Sequence, residues 1–155
     1  MRRVKLISTV LLILSLLFLF NGCNENECDD CDAHKTPVKD GIFIHISHGP
    51  EDAHRVLMAL NMANLMSETK DVLVYFDIKG VNVVFKDAPD IEFSHFPTSH
   101  AAIKTLLDKG ITVYACPGCI KAAGRTPEDL MPGIQVADKD GFFNFTKGRI
   151  LTIDY

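Results

Sequence analysis

The sequence predicts an α/β fold over residues 41–155: a mostly parallel sheet with helices on both faces and an antiparallel edge. Three observations predict it. Short runs rich in β-branched residues, "IFIHIS" (Ile42–Ser47), "DVLVYFD" (Asp71–Asp77) and "ITVYA" (Ile111–Ala115), alternate with stretches of helical periodicity. The second run is apolar without clean alternation, as expected of a strand covered on both faces. Residues suited to turns and helix starts follow each run, in "HGPED", "DIKG" and "CPG".

After the first strand, Pro50 suits a first helical position, and Glu51 and Asp52 put two acids in the first turn. Val56, Ala59, Leu60, Ala63 and Met66 then recur at three- and four-residue intervals, so a helix over residues 50–67 buries one stripe. "KGVNVVFK" (Lys79–Lys86) fits a short strand or a short helix. Pro89 and Pro97 make residues 87–97 a long loop. Thr98 or Ser99 can cap a helix with the stripe Ala102, Ile103, Leu106 and Leu107, which Gly110 ends. Beyond the third strand, "TPEDLMPG" reads as a turn capped by Thr126 with Pro127 first inside, and "IQVA" is a candidate strand. The closing "GFFNFTKGRILTIDY" reads as a hairpin around Lys147 and Gly148.

Residues 1–22 read as an address outside the fold. Arg2, Arg3 and Lys5 precede the apolar run Leu6–Phe20, and "NGC" ends at Cys23, the layout of a lipoprotein signal with Cys23 as the acylated first residue. The run is short for a span of about 20 apolar residues. The expected location is the cell envelope, lipid-anchored and facing the periplasm or another extracytoplasmic side. Residues 23–40 lack apolar periodicity and form an acidic tether. Without residues 1–22, 13 Lys+Arg face 20 Asp+Glu, a net charge of about −7. Nucleic acid and an anionic membrane face both call for clustered Lys/Arg, so this charge argues against either as a partner.

Open α/β sheets bind ligands outside the carboxyl ends of their strands. His48, Asp77 and Cys116 follow the first, second and third strands there. With Pro117 as first helical residue, the Cys116 sulfur lies at a helix start, whose free N–H groups favour thiolate, the nucleophilic form. Cys119, three residues on, can resolve a mixed disulfide or share a metal. Cys116 and Cys119 are thus the candidate catalytic pair; a quiet disulfide is the structural alternative. An extracytoplasmic chain can keep disulfides.

A second C-x-x-C, Cys28 and Cys31, lies on the tether. A flexible segment from Cys31 to Ile42 spans about 18 Å, so delivery to Cys116 is geometrically allowed. Four thiols also match a zinc donor set, but about 84 residues separate the pairs. No cofactor is expected; the alternative is zinc or another soft metal held by His48, Cys116 and Cys119, with Glu51 and His54 nearby in sequence. His45 reads as a residue of the sheet, His54, His95 and His100 as surface groups, and Met58, Met62 and Met66 as packing.

"IFIHISHGPEDAHRVLMALNMANLM", "VLVYFDIKGVNVVFK", "LLDKGITVYACPGCIKAAG" and "DLMPGIQVA", in that order, resemble the DsrE/DsrF-like sulfur-relay family. The resemblance implies a flavodoxin-like three-layer sandwich that assembles into homo-oligomers. It also implies a cysteine at the end of the third strand, here Cys116, that carries persulfide between donor and acceptor proteins. The lipoprotein-type signal and the tether's cysteines depart from the cytoplasmic members. Two other readings stay open: a non-enzymatic metal- or small-ligand-binding module, and a thiol–disulfide exchange protein.

Overall fold

The computed structural model describes residues 37–155, and the expected signal, Cys23, Cys28 and Cys31 lie outside the described residues. Its sheet contains β1 (Gly41–Ile46), β2 (Asp71–Phe76), β3 (Thr112–Ala115), β4 (Gln135–Val136) and β5 (Ile150–Asp154). They lie in the order β4-β3-β2-β1-β5, and every neighbouring pair is parallel. Four helices connect them: α1 (Ala53–Met66), α2 (Ser99–Asp108), α3 (Pro117–Ala122) and α4 (Gly141–Asn144). Pro50–Asp52 forms a 3-10 turn before α1, and the Asp52 side chain then caps the helix by accepting from Arg55 N–H. Thr98 caps α2 by accepting from Ala101 N–H, and Gly110, at φ +74°, follows its end.

From β1 to β4 the chain steps in one direction, and right-handed crossovers put the intervening helices on one face of the sheet. There Ile42, Ile44 and Ile46 of β1, Val72, Val74 and Phe76 of β2, and Val113 and Ala115 of β3 are buried with Val56, Leu60 and Ala63 of α1 and Ile103 and Leu106 of α2. The return from β4 to β5 carries α4 across the other face. Phe142 of α4 packs edge-on against Phe43 (5.7 Å between ring centroids) and Tyr75 (5.0 Å). This second face is thinly covered, and Phe43, His45 and Tyr75 stay half-exposed.

The layered α/β fold is the expected one, but its C-terminal end differs from expectation. The predicted hairpin is instead a helix followed by a strand, α4 and β5, and the predicted antiparallel edge is parallel, because β5 pairs with β1. Only through a crossover can Phe142 reach the second face while β5 completes the free edge of β1. The strand order also departs from the 2-1-3-4-5 of flavodoxin-like sheets. The ambiguous "KGVNVVFK" forms a 3-10 turn, Gly80–Val83, whose Phe85 makes an isolated antiparallel bridge to Leu130. Gly80 lies against the carbonyl of Ile46, where a Cβ would collide with the backbone, so β2 turns tightly beneath the end of β1.

Candidate functional site

Adjacent strand ends bring the candidate groups together. Cys116 caps the start of α3 directly after β3, its N–H donating to the Phe76 carbonyl of β2 at 2.9 Å. Asp77 and Ile78 follow β2 on the neighbouring strand. The Ile78 N–H donates to Cys119 Sγ at 3.0 Å, tying the second cysteine to the β2 turn. Both cysteines are free thiols and half-buried. Ile78 has φ +44° and is 63% exposed. A β-branched residue in the left-handed region is strained, and such strain clusters at functional sites.

Burial disfavours the Cys116 thiolate, but the Tyr75 hydroxyl, the Cys119 N–H and thiol, and the Gly118 N–H outweigh it and pull the Cys116 pKa below its ordinary value. The helix itself contributes little, since α3 has only six residues; the local donors carry the effect. Cys119 moves the opposite way. Burial and then the Cys116 sulfur raise its pKa, Ile78 N–H opposes them, and the charge of Asp77 adds to the rise. Tyr75 is raised strongly, first by burial and then by its bond to Cys116, so it stays a protonated donor. The two sulfurs of a single helical turn are thus pushed in opposite directions, Cys116 toward thiolate and Cys119 toward thiol.

Behind the cysteines a polar row crosses the second face. Register places Asp154, His45, Tyr75 and Tyr114 side by side on β5, β1, β2 and β3. His45 Nδ1 hydrogen-bonds Asp154 Oδ1 at 2.9 Å, and its Nε2 lies 2.8 Å from Asp77 Oδ1. The second contact is close but lacks hydrogen-bond alignment, and both of its atoms are shut off from solvent. Burial opposes the imidazolium, but Asp77 and Asp154 outweigh it and raise the His45 pKa.

Of the expected residues, the structure brings Cys116, Cys119 and Asp77 together. His48 turns toward α1, where Arg55 Nη1 donates to its Nε2 at 2.8 Å and occupies the lone pair a metal would use. Among the described residues no three His, Cys, Asp or Glu side chains are placed to hold a metal, so the His48–Cys116–Cys119 metal site lacks its geometry. His54 is exposed and stacks on Phe93. His100 lines a pocket of about 440 Å³ with Lys86, Ile103 and Met131, which contains neither cysteine. A separate recess of about 390 Å³ is the one that holds a candidate thiol, lined by Cys119, Ile78, Lys79, Asn82 and Ala122. Tyr75 and Asp154 were not expected, and His45 was read only as part of the sheet. One signal was present: Asp77 stands two residues beyond Tyr75, the spacing that keeps side chains on one face as the chain leaves β2.

A sheet of this topology with a thiol at the end of β3 defines a class of small α/β thiol proteins. The profile of the DsrE/DsrF-like family matches residues 40–148, and the chain belongs to that family. An uncharacterized protein of Methanopyrus kandleri is 28% identical over 110 residues, covering 70% of this chain and 88% of its own length. Among solved structures, the ychN protein from E. coli superposes with a TM-score of 0.58 at 15% identity, covering 76% of this chain and all of its own. A protein of unknown function from Methanobacterium thermoautotrophicum gives 0.52 at 23%, covering 74% and 99%. These two likenesses are likenesses of fold.

Proposed function

We propose that this protein is a sulfur carrier that holds sulfane sulfur as a persulfide on Cys116, with Cys119 as the resolving thiol. The observation that carries the reading is the set of donors around the half-exposed Cys116 sulfur, which favours a thiolate at the mouth of the sheet. In the loading step the Cys116 thiolate attacks the outer sulfur of a donor persulfide, R–S–SH. A new S–S bond forms at Cys116, the donor's S–S bond breaks, and the donor leaves as R–S⁻. The proton stays on the transferred sulfur. In release without an acceptor, the Cys119 thiolate attacks Cys116 Sγ; hydrosulfide leaves with the electron pair of the broken bond, and a Cys116–Cys119 disulfide remains. With an acceptor thiolate, the outer sulfur passes on and Cys116 returns to thiolate.

Membership of the DsrE/DsrF-like family supports this reading, as does the spacing of the two cysteines in one turn. The partners are a sulfur-donating and a sulfur-accepting protein, with assembly into homo-oligomers. The N-terminal layout supports a lipid on Cys23 and a position at the extracytoplasmic side of a membrane. Incubation of the reduced protein with a persulfide donor should add one sulfur mass to the peptide holding Cys116, stable in Cys119→Ser and absent in Cys116→Ser. A Cys116 peptide that stays unmodified while the protein remains folded rejects the proposal. Intact mass of the mature chain tests the lipid on Cys23.

A second reading, thiol–disulfide exchange, is favoured by the Ile78 amide held on Cys119 Sγ, which readies the second thiol for closure. Formation of the Cys116–Cys119 disulfide with matching reduction of a disulfide substrate to its dithiol, and no added sulfur mass at any stage, would select it.

A further inference from the structure

We infer that His45 is a positioning residue for Cys119, acting through Asp77 and the amide of Ile78. The inference rests on reading Cys116 and Cys119 as a reactive pair, and not on sulfur carriage.

His45 Nε2 and Asp77 Oδ1 lie 2.8 Å apart, closed off from solvent, and neither has an aligned hydrogen bond elsewhere. A carboxylate oxygen closed off in that position without a partner is unfavourable, so the His45 ring beside it is what lets Asp77 remain there. Asp77 leads directly into Ile78, whose φ of +44° is not held by burial, since the side chain is 63% exposed. Backbone bonds hold the turn from the end of β1: Asp77 N–H to the Ile46 carbonyl, and Lys79 and Gly80 N–H to the Ser47 carbonyl, each 3.2 Å. The His45–Asp77 contact holds the same turn from the second face of the sheet. That turn is what aims the Ile78 N–H at Cys119 Sγ, 3.0 Å away.

The electrostatics run along the same path. Asp77 opposes the Cys119 thiolate, and His45, whose pKa Asp77 and Asp154 raise, offsets Asp77 when it carries its proton. The groups facing His45 are Asp77 and Tyr75 from the β2 side, Asp154 from β5, and the Phe43 ring on its own strand. The covering helix α4 sends Phe142 into this cluster, against Phe43 and Tyr75, and brings no charge with it. Cys116 draws mainly on Tyr75 and the α3 amides and only in part on the Cys119 thiol, so it should respond to His45 less than Cys119 does.

The test is peptide-resolved iodoacetamide labelling of the reduced full chain over a pH series, with no sulfur donor present. In His45→Gln, Cys119 should react about three- to tenfold more slowly at and below about pH 6.5, where the parent imidazole carries its charge, with a smaller change at Cys116. His45→Gln combined with Asp77→Asn should return Cys119 toward the parent, because the charge and its counter-charge leave together. A purely structural role would move both cysteines alike and would not be rescued. Asp154→Asn, at a largely exposed side chain, weakens the hold on the imidazolium and should move Cys119 the same way by less; it serves if His45→Gln does not fold. An unchanged Cys119 profile in the folded variants, or no rescue by Asp77→Asn, overturns the inference. Because no sulfur donor is used, failure of the persulfide reading leaves this result intact.

Discussion

Tyr75→Phe removes one hydroxyl from the site and leaves the ring in place. The ring packs against Phe43 at 6.1 Å, His45 at 5.7 Å and Phe142 at 5.0 Å, and phenylalanine preserves all three contacts. What is lost is the hydroxyl that lowers the Cys116 pKa. A hydrogen bond to a charged acceptor contributes about 1.5–3 kcal/mol. Cys116 is half-exposed, so water replaces part of the lost bond and the low end applies. About 1.4 kcal/mol corresponds to roughly one pKa unit. In a Cys119→Ser background, the midpoint of Cys116 alkylation against pH should therefore rise by about one unit, with about tenfold slower reaction below it. A midpoint that moves by less than about 0.2 unit, against the roughly one unit expected, would refute the claim that Tyr75 sustains the thiolate.

Three further outcomes follow from the same geometry. Gly80→Ala drives a Cβ into the Ile46 carbonyl and should cost about 1–3 kcal/mol in urea unfolding, where an unchanged midpoint would mean the turn gives way freely. Ile78→Gly relieves a left-handed cost of about 1–2 kcal/mol against a glycine entropy penalty of about 0.5–1 kcal/mol; its unfolding midpoint should hold or rise slightly, and a clear loss refutes the strain. The folded-state pKa of His45 is raised above its ordinary 6.5, so its stabilising contribution is complete below 6.5 and disappears as pH rises through the folded value. Urea titrations on either side of that window should show the fall in the parent and not in His45→Gln.

Strands and helices whose identity is local were legible in the sequence. The stripe on α1, the cap at Thr98 and the stop at Gly110 each rest on residues within a few positions of one another. The C-terminal end was not legible, because "GFFNF" and "RILTID" are both β-rich and nothing local says that the partner is β1 instead of the preceding segment. The candidate site divides in the same way. Cys116 announces itself by Pro117 and the strand before it, whereas His45 is defined by Asp154, 109 residues away, and by Asp77 across a strand boundary. Single-sequence patterns carry periodicity and capping; they do not carry which strands will be neighbours.

The parallel pairing of β5 with β1 has a consequence for how the chain reaches this state. β1 is the first strand to leave the ribosome and β5 the last, so one edge of β1 stays unpaired until the rest of the domain has been made. A pairing over that separation is slow to close, and an unpaired edge invites other chains. Asp154 arrives with β5, so the clasp on His45 completes only when the sheet does. A nascent or partly unfolded chain would therefore carry Cys116 and Cys119 without this support, and proper thiol reactivity would itself report that synthesis and folding had finished.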